Sequence, residues 1–351
     1  MEAVTNGSGG VSSSDCVVSG DTLYQVLRAS YIGIDFILTL FGNILTIIVT
    51  RKVEEFSDST KIFITSLAVA DLGVTVVAAT SFTAEVYGRW PFPEWICKVS
   101  FLSFYIFTAV SVIMIVIMTV DRLVAVVKPL RHSLILTKRR SIVAAVCVWF
   151  CCILSASSTT FLNTVEYNEC SAICLTKGRS IAQTIASVML FYITPLICIL
   201  IMNIRLLMIA RRHALHFRRV RVAASLPNTA DQPKRPPPRN VRGKAVGVIS
   251  LVTLAFALSW SVYQVCLVHS AFSDGSPFPE SVEFVAVWLG LTNSWWNVII
   301  YSIMNRNFRN HLKSVLLRLF PWFRKQEVVN YRYPAIPPVN NNLTTRPDDI
   351  E

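Results

Sequence analysis

One carboxylate lies inside an apolar stretch of the sequence, where an ionised side chain is costly. Asp71 is in the middle of the run over 62–86, which is long enough to cross a bilayer. A carboxylate at that depth costs a few kcal/mol unless it faces a polar or hydrated interior. Small polar side chains at comparable depth in other apolar runs could surround it: Asn43, Ser111, Asn293, Ser294 and Asn297. Oxygen-rich sites of this kind suit a hard cation or a proton, although Ser and Asn in membrane helices also commonly hydrogen-bond to a neighbouring helix.

A second candidate is the adjacent charged pair Asp121-Arg122, which follows the apolar run over 97–120. Charges at a helix end can also lie there because long side chains reach the membrane surface. Arg122 comes 25 residues after Cys97, about 37 Å of helix at 1.5 Å per residue. Cys97 and Arg122 are therefore expected at opposite membrane surfaces.

The sequence contains seven apolar runs bounded by charged residues, and the candidate residues lie within these runs or at their ends. The 351-residue chain is 53% hydrophobic and only 15% charged, with a mean hydropathy of +0.52, which excludes a soluble single-core domain. The runs are near 28–50, 62–86, 97–120, 141–162, 180–204, 245–271 and 281–304. They are too long for barrel strands and must satisfy their backbone hydrogen bonds internally, so we expect an all-α membrane protein with a seven-transmembrane helix bundle.

The placement of basic residues predicts the orientation. With the N-terminus outside, the segments 51–61, 128–140, 205–244 and 305–351 hold 27 of the 33 Lys and Arg residues. Positive charge is retained on the cytoplasmic side, so the N-terminus is expected to be extracellular and the protein to be a multi-pass plasma-membrane protein. The net charge of +12 then reflects topology and anionic membrane lipid rather than nucleic acid, for which there is no motif.

Four regions follow from this topology. We expect an extracellular segment over 1–27, the bundle over 28–304 with a third cytoplasmic loop at 205–244, an amphipathic membrane-surface helix over 305–323, and a flexible cytoplasmic tail over 324–351. Asn6 begins a glycosylation sequon on the extracellular side. The first helix is expected to act as an uncleaved signal anchor.

Four of the nine cysteines lie outside the apolar runs or at their outer edge: Cys16, Cys97, Cys170 and Cys174. A disulfide from Cys97 to Cys170 or Cys174 would hold the loop over 163–179 across the mouth of the bundle. A second disulfide from Cys16 is also possible, and the sequence alone leaves the connectivity open.

Landmarks in all seven runs together resemble the rhodopsin-like (class A) G-protein-coupled receptors. They are Gly42-Asn43, Asp71 in LAVADL, Cys97 with Asp121-Arg122, Trp149, Pro195, Phe256 and Trp260 in FALSW, and NSWWNVIIY from Asn293 to Tyr301. The resemblance implies an allosteric sodium site around Asp71, with no required cofactor. It also implies that Asp121, Arg122 and Tyr301 serve G-protein coupling as the sixth helix moves outward, with arrestin as a further partner. The family's disulfide corresponds to Cys97 and Cys174, or Cys170.

The resemblance also implies a ligand pocket in the outer half of the bundle. Carried over by spacing, its wall is Phe104, Tyr105, Thr108, Ser187, Phe191, Trp260, Tyr263, Gln264, Val287 and Leu291. Amine receptors of the family carry an Asp where this chain has Phe104, and opsins attach retinal to a seventh-helix Lys that the span 284–304 lacks. A peptide or neutral small molecule is therefore the favoured ligand. Acidic residues at the mouth could nevertheless attract a cationic ligand, unless they are simply solvated: Glu85, Glu94, Glu166, Glu169, Glu280 and Glu283.

The sequence departs from the family pattern at four positions. Leu123 replaces the Tyr of Asp-Arg-Tyr, Val262 and Val298 replace two helix prolines, and Asn203 replaces a fifth-helix Tyr. Loss of the prolines removes two expected kinks. A receptor-like protein that binds a ligand without activating G protein is therefore an alternative.

Two other function classes fit less well. An ion-coupled transporter could use Asp71, but the sequence contains no internal repeat relating two halves. The five histidines are scattered without metal-ligand spacing or a nucleophile-base pair, so we expect no enzyme.

Overall fold

The structure is a computed structural model that describes residues 21–54, 56–177, 179–224, 241–273, 278–304 and 306–319. The predictions for Asn6, Cys16, the loop centre at 225–240 and the tail from 320 onward fall outside the described residues. The helices are α1 (Thr22–Lys52), α2 (Asp58–Tyr87), α3 (Glu94–Val127), α4 (Lys138–Leu162), α5 (Ile181–Val188 and Thr194–Ala224, joined by a π-helical turn at Met189–Ile193), α6 (Val241–Phe272), α7 (Glu280–Leu291 and Asn293–Met304) and α8 (Arg306–Leu319). A short helical turn, His132–Ile135, lies between α3 and α4.

Most of the helices extend beyond the predicted apolar spans, and capping residues mark several of their ends. Ser57 accepts the backbone N–H of Thr60 at the start of α2, and Gly88 ends that helix with a left-handed φ of 64°. Ser180 and Gln183 form a capping box at the start of α5. The helix ends therefore lie in the polar loops.

The seven-helix bundle expected from the sequence is confirmed, with the seventh helix in two pieces. Six described helices are long and apolar enough to cross a membrane. The seventh, α7, is interrupted at Thr292, whose hydroxyl donates to the Leu289 carbonyl at 2.6 Å. The two halves contain 12 residues each, so only together do they have the length of a span.

A β-hairpin that the sequence analysis did not anticipate covers one end of the bundle, here called the hairpin end. Strands β1 (Thr164–Asn168) and β2 (Ile173–Lys177) pair antiparallel. Their turn is held by the Asn168 carboxamide oxygen, which accepts the Ser171 backbone N–H at 2.8 Å. The indole of Trp288 donates to the Ser171 carbonyl at 3.0 Å, so the turn is also fastened to α7.

The predicted disulfide is confirmed, and its partner is Cys174. Cys97 at the start of α3 is bonded to Cys174 in β2, with their Cα atoms 5.5 Å apart. Cys170 is disulfide-bonded as well. The hairpin is therefore covalently tied to α3 at the hairpin end. The opposite end of the bundle, where Arg122 lies, is called the Arg122 end.

The packing of α8 explains its place at the Arg122 end. Phe308 and Val315 are buried in a cluster with Val49 of α1 and Tyr301 of α7, while basic residues of α8 are exposed. This is the amphipathic pattern of a helix that lies along a membrane surface. Elsewhere the helices have exposed apolar side chains, such as Phe150 and Leu154 on α4, as expected of faces in contact with lipid.

Candidate functional site

Asp71 lies completely buried where α2, α3 and α7 meet. The Ser111 hydroxyl donates to Asp71 Oδ1 at 2.7 Å, and Asn297 Nδ2 donates to Oδ2 at 3.2 Å. Within the described part of the chain, no Lys, Arg or His pairs with this carboxylate. The described hydrogen-bond donors of this carboxylate are therefore neutral, which is an unusual arrangement so deep in a membrane protein.

The other predicted polar residues lie between α1 and α7. Asn43 Nδ2 donates to the carbonyls of Thr39 and Ser294, each at 3.0 Å. Asn293 and Asn297 are both buried, and the side-chain oxygen of each accepts no hydrogen bond. Buried oxygens without donors are rare in proteins and are the atoms that a cation would coordinate.

A second buried carboxylate, Asp35, was missed by the sequence analysis. It lies on α1 with only 2% of its surface exposed, and the indole of Trp295 donates to its Oδ1 at 2.9 Å. Its Oδ2 has no partner. Asp35, like Asp71, is a carboxylate within an apolar span, and this signal in the sequence could have identified it.

At the Arg122 end, Asp121 lies in a dense hydrogen-bonded cluster. It is 1% exposed and accepts from the Ser59 hydroxyl at 2.9 Å, the Thr60 hydroxyl at 2.8 Å and His132 Nε2 at 2.9 Å. Arg122 donates to the Thr60 hydroxyl at 2.6 Å and lies 3.4 Å from Asp121. Arg122 is thus anchored to the start of α2, and the contribution of His132 was not predicted.

Tyr301 is not brought into hydrogen-bond contact with Arg122. Its hydroxyl donates to the Met118 sulfur at 3.7 Å, and its ring packs 5.9 Å from that of Phe308. Val298, in place of the family's proline, packs on Gly42: a Cβ added at Gly42 would lie 3.1 Å from Val298 Cγ2. The second half of α7 therefore lies against α1, with Tyr301 near the junction with α8.

A cavity of about 360 Å³ opens between α3, α5, α6 and β2. Eight of the ten residues predicted for a ligand pocket line it: Phe104, Tyr105, Thr108, Ser187, Phe191, Trp260, Tyr263 and Gln264. Three of them form an aromatic cluster, with ring centroids 6.4 Å apart for Phe104 and Trp260 and 5.8 Å apart for Trp260 and Tyr263. The hairpin contributes Leu175 and Thr176, which the sequence analysis did not include.

Val287 and Leu291, the other two residues predicted for the pocket, do not line this cavity. Both are buried in the main hydrophobic core. The reason is that the Trp260 ring lies directly against Gly290, where an added Cβ would be 2.9 Å from Trp260 Cε3. The indole therefore lies between α7 and the cavity.

The described lining of the cavity carries a positive charge, whereas the expected acidic residues lie elsewhere at the hairpin end. Arg179, just after β2, is the only charged residue among the described residues that line the cavity. Within the described chain, no carboxylate forms an ion pair with it. Two of the acidic residues that were expected to attract a cation are already paired, Glu94 with Lys98 at 2.9 Å and Glu166 with Lys177 at 3.1 Å.

Glu85 and Glu280 are also paired, in a buried cluster around Arg28. The Arg28 guanidinium, 3% exposed, donates to Glu85 Oε1 at 2.7 Å, to Glu280 Oε1, and to the Glu169 carbonyl at 2.6 Å. It also lies 4.7 Å from the ring centroid of Phe284. The cluster therefore joins α1, α2, α7 and the hairpin turn.

Tyr167 of β1 lies beside this cluster. Burial, followed by the charge of Glu85, raises the pKa of its phenol, while Arg28 lowers it. The phenol is therefore expected to stay neutral, so that Arg28 is balanced by the glutamates and not by tyrosinate.

Comparison with known proteins places these features in a family. Residues 42–301 match the family described as 7 transmembrane receptor (rhodopsin family). The octopamine receptor beta-1R of Drosophila melanogaster is 29% identical over 334 residues, which cover 89% of this chain and 65% of that protein. The octopamine receptor beta-2R of Chilo suppressalis is 28% identical over 86% of this chain and 82% of its own length. The allatostatin-A receptor of Bombyx mori is 27% identical, with coverages of 82% and 78%.

The family match covers well over half of the chain and includes Asp71, the Asp121-Arg122 pair and all of α3 to α6. Its members are receptors and not enzymes, in agreement with the expectation from the sequence. The protein therefore belongs to the rhodopsin family of seven-transmembrane receptors.

Proposed function

We propose that the protein is a cell-surface receptor that binds an extracellular ligand in the cavity beside Trp260 and activates heterotrimeric G proteins at the Arg122 end. The observation that carries this proposal is the anchoring of Arg122 to Thr60 at 2.6 Å, at the end of the bundle opposite the cavity. Phe104 in the cavity and Arg122 lie on the same helix, 18 residues or about 27 Å apart. One helix thus connects the two sites.

The proposed mechanism is a two-state equilibrium. In the state described here, Thr60 and Asp121 hold Arg122 against α2. A G protein that contacts a released Arg122 would favour a second state with α6 displaced, and a ligand with the same preference would raise the affinity for G protein. The hairpin end is extracellular in this proposal, because disulfides persist in oxidising compartments and because basic residues concentrate at the other end.

Arg122→Ala is expected to abolish G-protein activation, and Thr60→Val to raise basal activation by freeing Arg122 from its hydroxyl partner. Both variants and the wild type would be expressed in cells with a panel of G-protein dissociation sensors, at matched surface levels. Arg51→Ala, which removes an exposed charge from the same end, is the control and should signal normally. Undiminished signalling by Arg122→Ala would refute the role given to Arg122.

The alternative, a receptor that binds ligand without activating G protein, is favoured by Val298 and Val262. Val298 packs on Gly42, and α6 runs without interruption through Val262. If the wild type and Thr60→Val are both silent at the surface while Val298→Pro signals, this alternative replaces the proposal. Arrestin recruitment would then be the next measurement.

For the ligand, the cavity favours a peptide or small molecule whose buried part is neutral or acidic. Phe104 stands where amine receptors of the family have an anionic side chain, and Arg179 supplies the cavity's only charge among the described residues. A guanidinium without a carboxylate partner is a ready recognition point for a carboxylate. The aromatic cluster around Trp260 would pack on an apolar or aromatic group.

Arg179→Gln is expected to weaken the binding of aromatic carboxylic acids by about tenfold or more, as for a lost charge-assisted hydrogen bond. The probes are a set of aromatic carboxylic acids and their primary amides, scored by the rise in unfolding temperature of purified receptor. The amides should be unaffected, and Arg89→Gln, which removes an exposed charge from the same end, should change neither set. If only protonated amines raise the unfolding temperature, the proposal of a neutral or acidic ligand is wrong.

A further inference from the structure

A second concave surface lies at the Arg122 end, between α3 and α5. It is a groove of about 600 Å³ whose floor is apolar, formed by Leu123, Val124 and Val127 of α3, Ile135 of the short helical turn, and Met208 and Ile209 of α5. Val127 and Met208 are about half exposed. We call this surface the α3–α5 groove.

The rim of the α3–α5 groove is cationic. Lys128, Arg205 and Arg212 line it, and all three are exposed. No Asp or Glu is among the described residues that line the groove, and none in the described chain forms an ion pair with these three. The groove therefore combines an apolar floor with three positive charges that no described carboxylate neutralises.

The spacing of residues on α5 places apolar and basic side chains of the groove on one helix face. Arg205, Met208, Ile209 and Arg212 stand at positions i, i+3, i+4 and i+7, which share one face of an α-helix. The two arginines are about 10 Å apart along the helix axis. The apolar run of α5 ends at residue 204, so the arginines lie at and just beyond the membrane surface while Met208 lies between them. Leu123 contributes to the floor in place of the family's tyrosine, so this departure makes the groove more apolar.

We propose that the α3–α5 groove binds an anionic phospholipid of the cytoplasmic leaflet, with an acyl chain against Val127 and Met208 and the headgroup between Lys128, Arg205 and Arg212. Charge complementarity selects this occupant, because the floor matches a hydrocarbon chain and the rim matches a phosphate. Because the apolar run of α5 ends at residue 204, we place the groove at the level of the membrane surface, where such lipids are present at high local concentration. Assignment to the cytoplasmic leaflet depends on the orientation given under the proposed function.

The test uses the purified full-length chain in detergent with added dioleoylphosphatidylserine or dioleoylphosphatidylcholine, and bound lipid is counted by native mass spectrometry. Phosphatidylserine is expected to bind more tightly than phosphatidylcholine. The variant Lys128→Ala/Arg205→Ala/Arg212→Ala should lose about tenfold or more in phosphatidylserine affinity, since each basic residue near the headgroup strengthens binding. The control Arg51→Ala/Lys52→Ala/Lys313→Ala removes three exposed positive charges from the same end and should retain it.

A second variant separates the acyl chain from the headgroup. Val127→Trp fills the floor without changing any charge and should also weaken phosphatidylserine binding, whereas Val146→Trp on the exposed face of α4 should not. Soluble glycerophosphoserine, which lacks acyl chains, should not compete.

Three results would overturn the proposal. Equal losses in the two triple variants would indicate general surface electrostatics, and competition by glycerophosphoserine would indicate a phosphate site without an acyl chain. Unchanged phosphatidylserine binding in the groove variants would exclude the lipid site, and a separate loss of G-protein coupling in the same variants would identify the groove as a protein contact. The lipid-binding measurement needs neither ligand nor G protein, so it is independent of whether the proposed signalling holds.

Discussion

Arg28→Ala is expected to lower the free energy of unfolding by about 3–5 kcal/mol, because it leaves Glu85 and Glu280 buried without their cation. Both glutamates are at most 8% exposed, and the guanidinium that pairs with them also binds the Glu169 carbonyl. Removing one partner of a buried ionic cluster costs far more than removing an exposed pair, since the remaining charges cannot be solvated. The measurement is the apparent unfolding temperature of purified receptor in lipid nanodiscs.

The matched control is Lys98→Ala, which breaks an exposed ion pair with Glu94 at the same end of the bundle. Exposed pairs contribute about 0–1 kcal/mol, so this variant should be nearly as stable as the wild type. Arg28→Met/Glu85→Gln/Glu280→Gln removes the cation and both charges together, and it should recover much of the loss. Equal stability of Arg28→Ala and Lys98→Ala would show that the cluster does not hold α1, α2 and α7 together.

The Arg28 cluster also shows where sequence reasoning stops. Arg28 begins the apolar run over 28–50 and was not predicted to be a site residue, because its partners are 57 and 252 residues away in the chain. Apolar periodicity and charge placement identify membrane helices, but they contain no information about which helix ends meet. The same holds for Val287 and Leu291, whose distance from the cavity depends on how the Trp260 ring packs on Gly290.

The disulfide could be predicted in part from the sequence. Cys97 was correctly predicted to bond to the loop over 163–179, but the choice between Cys170 and Cys174 stayed open because the two are only four residues apart. The strand register decides it, since it places Cys174 opposite Tyr167 in the hairpin that packs on α3. The hairpin was not predicted, because the loop over 163–179 was considered only for its possible disulfide and not for strand pairing.

The buried carboxylates lead to the second prediction, which rests on a proposal that Asp71 binds an allosteric sodium ion. Replacing choline by sodium at constant ionic strength is expected to stabilise the wild type by about 1.4 kcal/mol when the sodium concentration is ten times its dissociation constant. Asp71→Asn should abolish this sodium response, because the cation loses its only charged ligand. The readout is again the apparent unfolding temperature in nanodiscs, with potassium as a second reference cation.

Asp35→Asn is the matched control, since it neutralises another buried carboxylate of the same bundle while an oxygen remains to accept from Trp295. It should leave the sodium response intact. If the sodium response is lost in Asp35→Asn and kept in Asp71→Asn, the ion binds at Asp35 and not at Asp71. If sodium does not stabilise the wild type, the proposed sodium site is refuted.

The surroundings of the two carboxylates explain why Asp71 is the expected ligand. Around Asp71, Ser111 and Asn297 already approach from α3 and α7, and the side-chain oxygens of Asn293 and Asn297 are buried without a donor. Rotation of the Asn297 carboxamide would replace a donated hydrogen bond by an oxygen ligand at no cost in packing volume. Asp35 is approached by one indole N–H, which is not a cation ligand. A sodium ion at Asp71 would thus bridge α2, α3 and α7 in the state that keeps Arg122 anchored, and so it would oppose the ligand and the G protein.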